Sequence, residues 1–223
     1  MIIPKLTRID QSNTHRLVPS KQGDSVLTRI ISDEHLNHIF DLDNATNDRL
    51  LAENNLLPGI RTLELVAGFN HYRIVNAAFC HASPKGSRFN GSERGAWYAS
   101  FDNETAQQEI IFHKVLWLTE INYFYDDVTY DDYLADFHYE FHDIRKDLKF
   151  KNCLHTSDYT ASQKLATYLL LEKESAGIVY PSVRDTTGTN LACFRPVLVN
   201  NVRKAKTYRF IWNGNEEPNV ITQ

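Results

Sequence analysis

The chain predicts an α+β fold. Short apolar strands follow one another in hairpin-like succession through its second half, helical patterns are interspersed among them, and strict strand-helix alternation is missing. Its 223 residues suit one medium-sized domain, or one domain with a helical extension, and are enough to bury a sizeable core. No internal repeat or low-complexity tract divides the chain.

Residues 1–59 read as a mostly helical extension. Ser32 can cap a helix whose first turn carries Asp33 and Glu34 beside the positive end of the helix dipole, with Leu36, Ile39 and Phe40 as its apolar stripe. A shorter helix runs through Arg49, Leu50 and Leu51 before Pro58. This stripe is too small to fold alone, so the main domain is residues 60–223.

In the main domain, Tyr72-Arg73-Ile74-Val75 reads as a short strand, and Ala96-Trp97-Tyr98-Ala99-Ser100 as another entered from a Gly/Ser-rich loop. From Asp102 to Leu118, Ala106, Ile110 and Val115 with Trp117 fit a helix capped by Asp102 or Asn103. Ile121, Tyr123 and Tyr125 then alternate like a strand. Residues 126–147, rich in Asp, Tyr and His without clear period, read as a surface insertion with a short helix. Ser157 to Ser175 is a helix with Gly177 as its C-cap. Strands follow at Gly177–Pro181, Asn190–Phe194 and Thr207–Trp212, the first two joined by the turn Asp185-Thr186-Thr187-Gly188.

Composition narrows the function. Charged residues are 23% and the net charge is -4, so there is no basic excess to bind a nucleic-acid backbone directly. The three cysteines, Cys80, Cys153 and Cys193, have neither CxxC nor Cys/His spacing, which argues against zinc and against a disulfide framework. Their odd number, without a signal peptide or a long apolar run, suits a cytoplasmic protein with no membrane anchor. Among nine histidines, His138 and His142 stand four apart with Glu140 between them, which is not the His-Glu-x-x-His order of a zinc protease. No metal is expected.

The chemistry-bearing residues lie in three separated pieces. A Gly/Ser-rich loop carries Arg88-Phe89-Asn90 and leads to Tyr98; a helix carries Thr105-Ala106 and, three residues on, Glu109; and a strand ends in Pro181-Ser182. With Tyr72-Arg73-Ile74 upstream, their order and types resemble the RES domain family, over roughly Tyr72 to Phe210. Gln107 and Gln108 depart from the smaller or more apolar residues usual there, and leave open which helix face turns inward.

The resemblance implies a split β-sheet core like that of ADP-ribosyltransferase toxins, with flanking helices around an NAD cleft. It also implies a toxin neutralised by a helix-turn-helix antitoxin of Xre type. Some members of that family hydrolyse or phosphorolyse NAD, and some transfer ADP-ribose to a protein. The extension is left with three roles: an antitoxin contact, a homodimer contact, or completion of the core.

Residue chemistry supports the same assignment. A guanidinium is a planar fork of donors for phosphate, so Arg88 suits the NAD pyrophosphate; its competing reading is a solvated loop arginine or a salt bridge to Glu93. Cleavage of the nicotinamide-ribose bond leaves positive charge on the sugar, which a carboxylate stabilises. Glu109 is the candidate, against an exposed helix glutamate, and His113 one turn on can modulate it. Tyr98 can stack on nicotinamide or be core. Ser182 can hold a ribose hydroxyl or the carboxamide, or cap a turn. It lacks the Gly-x-Ser-x-Gly setting of a nucleophile. Arg73 can add a phosphate contact or bridge strands, and Asn90 can support the Arg88 loop. No Walker loop or Gly-x-Gly-x-x-Gly appears, so NAD would be consumed as a substrate. A rival of another class is a non-catalytic interaction module that docks a partner through its acidic, aromatic middle segment.

Overall fold

A seven-stranded sheet, in the order β1-β2-β5-β4-β3-β6-β7, organises the molecule. The structure, a computed structural model, describes residues 1–20 and 59–223. The strands are β1 (Lys5–Pro19), β2 (Trp97–Ser100), β3 (Tyr125–Asp143), β4 (Gly177–Pro181), β5 (Thr189–Cys193), β6 (Asn200–Asn213) and β7 (Asn219–Thr222). Three α-helices accompany them among the described residues: α1 (Tyr72–Cys80), α2 (Asn103–Glu120) and α3 (Thr160–Lys173). Because β1 pairs with β3 as well as β2, the strands β1, β2, β5, β4 and β3 close a circuit of pairings. The α+β expectation holds, and no helix of the described residues is long and apolar enough to cross a membrane.

Two expectations are corrected in the sheet. Residues 5–19, placed in a helical extension, form β1, antiparallel to β3 from Lys5 opposite Asp143 to Pro19 opposite Tyr130. The helices expected around Ser32–Phe40 and Arg49–Leu51 lie outside the described residues. The supposed insertion at 126–147 is largely β3, the 19-residue strand that pairs with β1, β4 and β6. Its polar residues hid it, because they are buried with partners instead of alternating with apolar ones. Asp126 meets Lys114 at 2.7 Å, and Asp132 meets His15 at 2.8 Å.

Asp136 shows why a strand would bury a carboxylate. Both neighbours of β3 carry an extra residue opposite it, with Asn13 and Asn201 in the left-handed region at φ 58° and 51°. Asp136 accepts the Asn13 backbone N–H at 2.8 Å and the Asn201 amide at 2.7 Å, and Arg203 pairs with it at 3.2 Å. Burial acts to raise its pKa, but these donors outweigh it and hold the carboxyl below its ordinary value. A lowered folded-state pKa stabilises above the unfolded value and is lost as pH falls through the folded one. Asp136→Ala is therefore expected to cost about 1–3 kcal/mol at neutral pH and progressively less in acid, read from urea unfolding across a pH series.

Three apolar clusters attach the helices. α1 packs Val75 and Phe79 with Trp97, Phe137 and Val179; α3 packs Leu165 and Leu169 with Phe89 and Ile178; α2 packs Ala106 and Leu118 with Val128 and Trp212. Ile178 and Val179 fall in different clusters, so β4 is buried on both faces. The strand expected at Tyr72–Val75 is the first turn of α1, whose residues 75 to 80 are all buried. β-Branched residues there obeyed tertiary packing over local propensity. Ile121 and Asn122 form a turn instead of a strand, with Asn122 at φ 51°. The α3 C-cap is Glu174, at φ 48°, and not Gly177. Gly177 opens β4, where a Cβ would sit 2.1 Å from the Ala192 carbonyl oxygen.

Candidate active site

The carboxyl ends of β2 and β4 and the start of β5 lie side by side, with Tyr98 opposite Ala192, and Ser100 and Tyr180 both opposite Asn190. The amino end of α2 is pinned against them. Asp102 caps it by accepting the Thr105 N–H at 2.7 Å, and the Thr105 hydroxyl is 2.8 Å from both Asp102 and Asp185. Gly188 packs on Thr105 so closely that a Cβ would lie 2.2 Å from its hydroxyl oxygen. This clamp turns the next helical turn, and Glu109, toward Ser182. Gln107 bonds back to Asn103 at 2.5 Å, while Thr105 and Ala106 are buried and Gln108 is exposed, which settles the helix face the sequence left open.

Glu109 Oε1 accepts two hydrogen bonds, from the Ser182 hydroxyl at 2.8 Å and the Asn190 amide at 2.7 Å. The Asn190 oxygen in turn accepts the Ser100 hydroxyl at 2.7 Å, an orientation that presents the amide nitrogen to Glu109. Ser182, only 7% exposed, also accepts the N–H groups of Arg184 and Asp185 at 3.1 Å. With its proton donated to a carboxylate and its oxygen occupied by two backbone donors, this hydroxyl is an anchor for Glu109.

Arg88 is also 7% exposed. Its Nη1 donates to the carbonyls of Cys153 at 3.1 Å and His155 at 2.7 Å, and its guanidinium lies 4.8 Å from the centre of the Tyr159 ring. These carbonyls, and not Glu93, the partner in the competing reading, hold it. Gly86, at φ 69°, makes the loop possible, since a Cβ there would meet the Asn90 carbonyl at 2.2 Å. Asn90 braces the turn: its amide nitrogen donates to the carbonyls of Gly91 and Arg94, and its oxygen accepts the Tyr98 hydroxyl at 2.8 Å. Tyr98 accepts the Phe89 N–H at 2.9 Å as well, so its phenol ties the Arg88 loop to β2. Burial pushes that phenol's pKa well up, offset in part by the Phe89 N–H and the Arg88 charge.

Electrostatics joins these pieces. His113 is exposed on α2. Desolvation nonetheless lowers its pKa, Glu109 pulls the other way, and Arg184 and Arg88 reinforce the drop. Burial raises the Tyr180 phenol strongly, and the charges of Glu109, Tyr98 and Arg88 all reach it. Arg88, Tyr98, Glu109 and Ser182 are thus brought together. Arg73 stands apart: it is exposed on α1, with its Nε 3.4 Å from the Tyr72 hydroxyl. Among the described residues no group of three or more His, Cys, Asp or Glu side chains is arranged to hold a metal ion.

Sequence reasoning missed Asn190, Ser100, Tyr159, Tyr180 and Arg184. Tyr180 was within reach, because residues two apart on a strand share a face and Ser182 was already a candidate. Asn190 and Ser100 depend on the pairing of β2 with β5, which no local pattern announces.

The family model described as RES domain matches residues 62–213, so β1 lies outside the matched stretch although it belongs to the same sheet. No curated protein matches the chain. Among solved structures, a chain of the M. tuberculosis MbcT-MbcA toxin-antitoxin complex is similar, with a TM-score of 0.48 and 10% identity over 90% of this chain and 85% of that one.

Proposed function

Because the chain belongs to the RES domain family, we propose that it is the toxin of a toxin-antitoxin pair and that it consumes NAD by cleaving the nicotinamide-ribose bond. The observation that carries this reading is the Glu109 carboxylate, oriented by Ser182 and Asn190 within electrostatic reach of Arg184, which Arg88 also reaches. A fixed carboxylate and a buried guanidinium suit a substrate that is anionic at one end and becomes cationic at another.

In this mechanism Arg88 binds a pyrophosphate oxygen with the guanidinium edge that does not hold Cys153 and His155. The Tyr98 ring contacts nicotinamide, while its hydroxyl keeps the Arg88 loop in place. The glycosidic bond breaks toward the pyridinium nitrogen, which takes the electron pair and leaves as neutral nicotinamide. The ribose keeps the positive charge, and Glu109 stabilises it. Ser182 and Asn190 restrict the carboxylate, so little reorganisation is needed as the charge develops. Water, losing its proton to solvent, or a phosphate oxygen then adds to the ribose carbon. Desolvation, against the pull of Glu109, holds His113 below its ordinary pKa and so favours its neutral form beside the carboxylate.

Such an activity drains a cell of NAD, so a neutralising antitoxin, of the Xre helix-turn-helix type, is the partner. Incubation with NAD labelled in the adenylate phosphate tests the acceptor. Free labelled ADP-ribose or its phosphate ester is expected; label retained on a protein band would make the chain a protein ADP-ribosyltransferase. Arg88→Ala is expected to weaken NAD binding about tenfold or more by deleting a charge-assisted contact, and to lower the melting temperature by freeing two carbonyls. Titration calorimetry and a thermal melt read the two effects separately.

A further inference from the structure

We infer that Arg184 acts with Arg88 as a second guanidinium of the same site, and that the pair takes the two linked phosphates of a nucleoside diphosphate ester. The inference rests on the functional reading above and deepens it, since it assigns the substrate class to a two-cation clamp.

The two side chains come from distant parts of the chain but are held by consecutive carbonyls. Arg88 donates to His155 O at 2.7 Å, and Arg184 Nη2 donates to Thr156 O at 2.6 Å, so the guanidinium groups are anchored one peptide unit apart. Tyr159 interacts with both: its ring lies 4.8 Å from the Arg88 guanidinium, and its side chain is within electrostatic reach of Arg184. The flat face of Arg184 rests on Phe112, with the guanidinium carbon 3.2 Å from the ring centre. Phe112 follows Glu109 by three residues on α2, so the helix that aims the carboxylate also carries the platform for the arginine. Arg184 Nε is buried without a hydrogen-bond partner among the described residues.

Two like charges on neighbouring carbonyls, with one buried donor left open, are an arrangement that an anion completes. Desolvation is the main influence lowering the Arg184 pKa; Tyr159 and Glu109 oppose it, and the Arg88 charge adds to the drop. Glu109 explains the need for a second cation. A carboxylate close enough to steady a ribose cation also repels the phosphates attached to that ribose. Arg88 plus Arg184 against Glu109 leaves one net positive charge, whereas Arg88 alone would leave none.

Titration calorimetry of the full chain with ADP-ribose, AMP and adenosine tests the clamp, using wild type, Arg184→Gln and Arg184→Lys. The glutamine variant is expected to lose about tenfold or more in ADP-ribose affinity, to lose less for AMP, and to bind adenosine unchanged. The lysine variant keeps the charge without the planar fork and is expected to fall between, which preserves the test if the glutamine variant does not fold. Unchanged ADP-ribose affinity in the folded variants overturns the inference. Equal losses for ADP-ribose and AMP overturn the diphosphate assignment, because they describe a single-phosphate contact. Wild type that binds ADP-ribose through Arg184 yet leaves NAD intact upholds the clamp and removes the cleavage reading. Wild type that cleaves NAD while ADP-ribose binding is indifferent to Arg184 does the reverse.

Discussion

Glu109→Gln is expected to slow nicotinamide release from NAD by about a hundredfold to a thousandfold while leaving the fold intact. The substitution is nearly isosteric and retains the one atom the protein uses. Glutamine still offers an Oε1 to the Ser182 hydroxyl at 2.8 Å and the Asn190 amide at 2.7 Å, so neither donor is orphaned. Only the negative charge is removed, and with it the stabilisation of the ribose cation. Initial rates at saturating NAD, with a thermal melt of the same sample, separate charge from folding. An undiminished rate in the folded variant would take Glu109 out of the mechanism.

Lys114→Ala is expected to cost about 3–5 kcal/mol of stability, because it strands a charge in the interior. Lys114 and Asp126 are 3% and 0% exposed as side chains, 2.7 Å apart, and the ammonium also lies 4.7 Å from the centre of the Trp117 ring. The pair joins α2 to β3 on a side of the helix about 140° round from Glu109, so it fastens the helix without touching the candidate site. Urea unfolding should show the loss, and activity per folded molecule should hold at temperatures where the variant stays native. Lys114→Met combined with Asp126→Leu should recover part of the stability, since no buried charge is then left without its counter-charge, although the Asp127 N–H loses the Asp126 oxygen it donates to at 2.9 Å. A loss below about 1 kcal/mol in the single variant would mean that Asp126 finds water or another partner.

The parts of the molecule legible in the sequence were those whose signals are local. The cap at Asp102, the helix ending near Lys173, the strands from Gly177 and from Asn190, and the loop before Tyr98 each rest on a short pattern that the fold obeys. The long strands β1 and β3 were not legible. Their burial comes from each other, and their polar residues are satisfied across the sheet, so neither shows the alternation that marks a half-buried strand.

The candidate site divides the same way. Arg88, Tyr98, Glu109 and Ser182 were found through motif order, and the geometry brings them together. Tyr98 and Asn90 nevertheless brace the Arg88 loop through their polar atoms, and Ser182 anchors Glu109. Arg73 was placed on a strand by its neighbours Ile74 and Val75, and the structure puts it on the exposed side of α1. Arg184 sat two residues beyond Ser182 and still gave no signal, because its importance comes from Thr156, Tyr159 and Phe112, all distant in sequence.

A proton NMR time course of NAD with the purified chain reads the glycosidic bond itself. With wild type, the resonances of bound-ring nicotinamide in NAD should give way to those of free nicotinamide, with the adenosine signals retained, and the Glu109→Gln protein should leave the spectrum nearly unchanged over the same interval. NAD that persists unaltered with folded wild-type protein at high concentration would contradict the account.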